Sequence, residues 1–135
     1  MKVKQLFVNQ YAVVAVIDGD TCPAEEFLLH GEATTESARN GLRRFLEEAA
    51  TRGLSDIPSA WFHEADKQKG IYEFTKGPLR LFFFKGENGH IAVCTGGVRK
   101  DRKKADPPSV ARAAKLREKY FEAIKSNQLE VIKDE

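Results

Sequence analysis

Apolar positions fall along this chain in two textures. Gln10 to Ile17, QYAVVAVI, is an unbroken β-branched run, which predicts a strand buried on both faces. The turn-forming Asp18-Gly19-Asp20 ends it. A short amphipathic pattern at Pro23–His30 predicts a helix, and a stronger one follows Thr34 or Thr35, either of which can serve as N-cap. Ala38, Leu42, Phe45, Leu46 and Ala49 recur there at helical spacing, with Gly53 suited to the C-terminal stop. Arg39, Arg43, Glu47 and Arg52 read as the solvated face of that helix.

After Ser55 the period shortens. Ile71–Thr75 and Leu79–Lys85 read as strands joined by the turn Lys76-Gly77-Pro78. Gly86-Glu87-Asn88-Gly89 makes a second turn, and His90–Thr95 completes a three-stranded antiparallel meander. In LRLFFF the apolar residues face both ways, so that strand is central. A helix is expected over Pro108–Ser126, capped by Asp106 or Ser109 and striped by Val110, Ala113, Ala114, Arg117, Phe121 and Ile124. The residues after it read either as a short strand or as a tail. The pattern predicts an α+β fold. A small, mostly antiparallel sheet (N-terminal strand plus meander) packs with two N-terminal helices and a C-terminal helix, all in a single domain over 1–135.

Charge sharpens this picture at one place. The chain carries 22 Lys and Arg against 20 Asp and Glu, so any affinity for nucleic acid must come from a local patch. Arg99–Lys104 packs five cations into six positions between Gly96-Gly97 and Pro107-Pro108, which demands a nearby anion. His30, His63 and His90 share no metal-ligand spacing, and no nucleophile motif or phosphate loop occurs. No metal or other cofactor is expected. Cys22 and Cys94, far apart and outside any CxxC, read as reduced thiols, with Cys94 buried in a strand. With no leader-like or membrane-spanning apolar run, the cytoplasm is the expected location.

The segments IYEF, KGPLRLFFF, HIAVCTGGVRKDRKK, DPPSVARAAK and REKY follow one another in an order that resembles the RelE/HigB/ParE toxin superfamily, in particular its phage-derived HigB-like branch. The resemblance covers the C-terminal half; residues 1–60 match only as a strand and helices. It implies a RelE-like toxin of a toxin–antitoxin pair that cleaves mRNA on the ribosome, with attack of a ribose 2′-OH on the adjacent phosphate and no metal. The implied partners are mRNA, the ribosome and a cognate antitoxin encoded by a neighbouring gene, of helix-turn-helix or acidic type. Some branches of the superfamily inhibit gyrase and leave RNA intact, so a non-cleaving protein-binding module is the alternative. On this resemblance Arg80 and Arg99 stabilise the scissile phosphate, assisted by Lys76 or Lys100. Arg102, Lys103 and Lys104 contact RNA, and Tyr120 stacks on a base. Structural readings stand beside these. Arg80 could pair Glu73 across the hairpin, the basic run could be solvated, and Tyr120 could pack beside Phe121. RelE-type cleavers carry two lysines where this chain has Ile71 and Glu73. His63 and His90 are weaker acid–base candidates.

Overall fold

The computed structural model describes residues 1–100 and 106–133. Its centre is one seven-stranded sheet: β1 (Lys2–Val8), β2 (Ala12–Val16), β3 (Phe62–Asp66), β4 (Ile71–Lys76), β5 (Leu79–Phe84), β6 (His90–Arg99) and β7 (Glu130–Ile132). They lie in the order β3-β4-β5-β6-β2-β1-β7. The pairs β1–β2, β3–β4, β4–β5 and β5–β6 are antiparallel, whereas β2–β6 and β1–β7 are parallel. The expected small, mostly antiparallel RelE-like sheet is therefore wrong: the sheet is mixed and larger. Two added strands, β1 and β3, and a third at the C-terminal end make the difference.

Each strand the hydrophobic pattern named is present, and its alternation assigns the faces. Leu79, Leu81 and Phe83 of β5 enter one core with Leu42, Phe45 and Leu46, while Phe82 and Phe84 enter the other with Val110, Ala113 and Tyr120. These three phenylalanines are wholly buried, and each full burial contributes about 1.5–3 kcal/mol. Helices α1 (Pro23–Leu29) and α2 (Glu36–Arg52) cover the first face, and α3 (Pro107–Lys125) covers the second. Arg39 is not solvated: it is buried, and its Nη1 donates to Glu32 O and Thr35 Oγ1. Gly77, with φ of +54°, holds the first position of the two-residue β4–β5 turn, where a positive φ is needed. Asp106 caps α3 by accepting from the Ser109 amide at 3.2 Å, and Pro107 and Pro108 fill a first turn whose N–H groups have no helical partner.

Gly96 and Gly97 do not end β6, as the sequence suggested; the strand runs on to Arg99. A bulge at Thr95 shifts the register, with Phe83 opposite Cys94 but Phe82 opposite Gly96. Pairing with β2 stops at Cys94, so beyond it β6 has β5 on one side only. Arg112 of α3 donates from Nη1 to the Thr95 carbonyl at 2.7 Å, satisfying an acceptor that a continuing strand would have met. Among the described residues, no helix is long and apolar enough to cross a membrane.

Candidate functional site

Side-chain alternation divides Lys76, Arg80 and Arg99, the three predicted catalytic cations that lie on strands, between the two faces of the sheet. Lys76 and Arg99 lie opposite Leu79 on its two sides and share its face, under α1 and α2. The Lys76 ammonium sits 5.8 Å from the centre of the Phe45 ring, and Arg99 Nη1 is 3.0 Å from Glu32 Oε2. Arg80 takes the opposite face, the one that carries Phe82, Phe84 and α3. The Lys100 amide donates to Pro78 O at 2.6 Å, which extends the ladder by one residue beyond Arg99. Arg80 and Arg99 thus do not converge on one phosphate. Arg102, Lys103 and Lys104 lie outside the described residues. Tyr120 corrects a further expectation: it is fully buried, so it cannot stack on a base. Its hydroxyl lies 2.8 Å from His90 Nδ1 and accepts from the Glu87 amide at 3.1 Å, and burial pushes its pKa up.

What surrounds Arg80 differs from the anticipated pairing. Thr75, not Glu73, is its cross-strand partner. Arg80 Nη1 donates to Gly77 O at 2.8 Å and to Leu79 O at 3.0 Å, so the turn carbonyls hold the guanidinium in place. It forms one wall of an open hollow of about 390 Å³, shared with His63, Thr75 and Gly77. His63 reaches this hollow from β3, a strand that sequence patterning missed because FHEAD has almost no apolar alternation.

Glu73 stands opposite His63 and supplies the unexpected feature of the site. Its carboxylate is 1% exposed, and Oε1 lies 2.6 Å from His63 Nε2. Oε2 is the one fully buried side-chain polar atom among the described residues that lacks a partner. A buried oxygen left without a donor costs about 1–3 kcal/mol. A leucine or phenylalanine would avoid that cost beside Ile71, Phe82 and Phe84, the apolar residues on the same face. His63 is 51% exposed, so the pair joins a fixed carboxylate to an accessible imidazole. No family model, curated protein or solved structure matches this chain.

A second hollow, of about 550 Å³, opens where the parallel neighbours β2 and β6 part. From there the chain leads to α1 on one face and α3 on the other, the kind of divergence at which open sheets form crevices. Phe27, His30, Thr95, Gly97 and Arg112 line it. The start of α3 makes a poor anion cradle here, since its first two residues are prolines and the Asp106 carboxylate already occupies the Ser109 amide.

Proposed function

We propose that the protein is a metal-independent ribonuclease toxin of the type its C-terminal half resembles, acting on ribosome-bound mRNA in the cytoplasm and restrained by an antitoxin. The observation that carries this reading is the shared hollow of Arg80 and His63. Transesterification of RNA needs a cation for the phosphorane and a group that exchanges protons near neutral pH, and few other side chains combine these roles as well. Arg80 offers Nη2 and Nε to a phosphate while Nη1 stays on the turn carbonyls. The sequence that follows β6 carries Lys100, Arg102, Lys103 and Lys104, a local excess of positive charge suited to an RNA backbone.

Induction from a tight promoter, with mapping of mRNA 5′ ends, tests the reading. The expected result is growth arrest with new ends inside coding sequence, and its relief by Arg80→Ala. Because Arg80 is partly exposed and its cross-strand neighbour is Thr75, the substitution leaves the fold standing. A non-cleaving protein-binding or gyrase-inhibiting module is the second reading, favoured by the position of Arg99 and Lys76 on the other face and by the Arg99–Glu32 pair. Arrest with intact mRNA and damaged DNA decides for it.

A further inference from the structure

We infer that His63 is the proton-transfer residue of this site and that Glu73 is the group that positions it; this rests on the RNA-cleavage reading above. The argument starts from the ring nitrogens. A carboxylate oxygen only accepts, so the 2.6 Å contact to Glu73 Oε1 puts the proton of a neutral imidazole on Nε2. Nδ1 is then the nitrogen with a free lone pair, on a side chain that is half exposed and forms a wall of the hollow. The carboxylate cannot wander: Glu73 lies on β4 between β3 and β5, opposite His63 on one side and Phe82 on the other. Ile71 and Phe82 pack on the same face. A buried acid holding an exposed imidazole in one tautomer is the arrangement that makes histidine an effective base.

In the reaction, the 2′-hydroxyl proton passes to His63 Nδ1 as the 2′-oxygen bonds to phosphorus. The P–O5′ bond breaks, and the 5′-oxygen takes up the proton of the imidazolium just formed, directly or relayed through a water, which returns His63 to its neutral form. The products are a 2′,3′-cyclic phosphate and a 5′-hydroxyl end, with atoms and charge balanced. The Glu73 carboxylate stabilises the transient imidazolium, and Arg80 faces the phosphorane from β5. Thr75, directly opposite Arg80, adds a hydroxyl to the same hollow. The two lysines of RelE-type cleavers are absent from β4, and this dyad performs their task by a different route.

The test uses the full chain with purified ribosomes and an end-labelled mRNA, alongside NMR of the imidazole nitrogens. His63→Gln should cut the cleavage rate by about 10²- to 10⁴-fold, the usual range for a lost acid–base group. Glu73→Gln keeps the side-chain volume and should lower the rate while changing the His63 tautomer ratio, a readout that a purely structural role would leave alone. Should Glu73→Gln fail to fold, His63→Gln on the half-exposed position still decides the matter. Cleavage by the parent protein with His63→Gln at full rate overturns the dyad and leaves the ribonuclease reading intact. A parent protein that cleaves no mRNA under these conditions overturns both. An NMR spectrum with the proton of neutral His63 on Nδ1 overturns the positioning role of Glu73.

Discussion

At the scale of single residues, buried polar groups set the pH response of this protein. His90 lies at the start of β6, nearly buried, with its Nδ1 on the Tyr120 hydroxyl and the Glu87 backbone beside that hydroxyl. Desolvation holds its pKa below the ordinary 6.5. The unfolded chain therefore takes up this proton at a higher pH than the native one. Stability from His90 is complete above pH of about 6.5 and falls as pH drops toward the depressed native value. Urea midpoints should decline between pH 7.5 and 5.5, and His90→Gln should flatten that decline. Tyr120 shows what sequence could and could not supply: a tyrosine beside Phe121 fits either a base-stacking or a packing role. Only the turn at Glu87, brought against α3 by the sheet, decides for packing.

At the scale of elements, legibility followed burial. The runs 10–17, 71–75 and 79–85 and the helical stripes were readable because both of their faces, or one whole face, are largely apolar. Strand β1 was not, since its bulge at Leu6 breaks the alternation of KVKQLFV and turns Leu6 and Phe7 toward the same core. Strand β3 is an edge with mostly polar side chains, so it left no period to detect, and His63 stood only as a weaker acid–base candidate. Gly96-Gly97 looked like a terminator, but Gly97 is there for closeness: a Cβ on it would collide with the Phe27 ring of α1. Gly97→Val should cost about 1–3 kcal/mol by displacing Phe27, measurable as a lower urea midpoint, with α1 loosening first. Of the proposed site, Arg80, His63 and Glu73 were each named from the sequence, but the contact between Glu73 and His63 was not, because it depends on the pairing of β3 with β4.

At the scale of the whole molecule, a net charge of +2 keeps recognition local, and the mixed sheet decides how the molecule comes together. The parallel contact of β2 with β6 joins Ala12–Ala15 to His90–Cys94, and β7 closes on β1 from the other end of the chain. Pairings of such long sequence separation favour slow folding, on the order of milliseconds to seconds. Stopped-flow refolding should show β2–β6 forming late, and Val14→Ala should mainly speed unfolding. On the ribosome the consequence is temporal. At about 5–20 residues per second, the hairpin of β1 and β2 waits several seconds for the strand that completes it. Throughout that interval the wholly apolar β2 edge stands open, which makes nascent chains, rather than finished molecules, the form most exposed to aggregation and to chaperones.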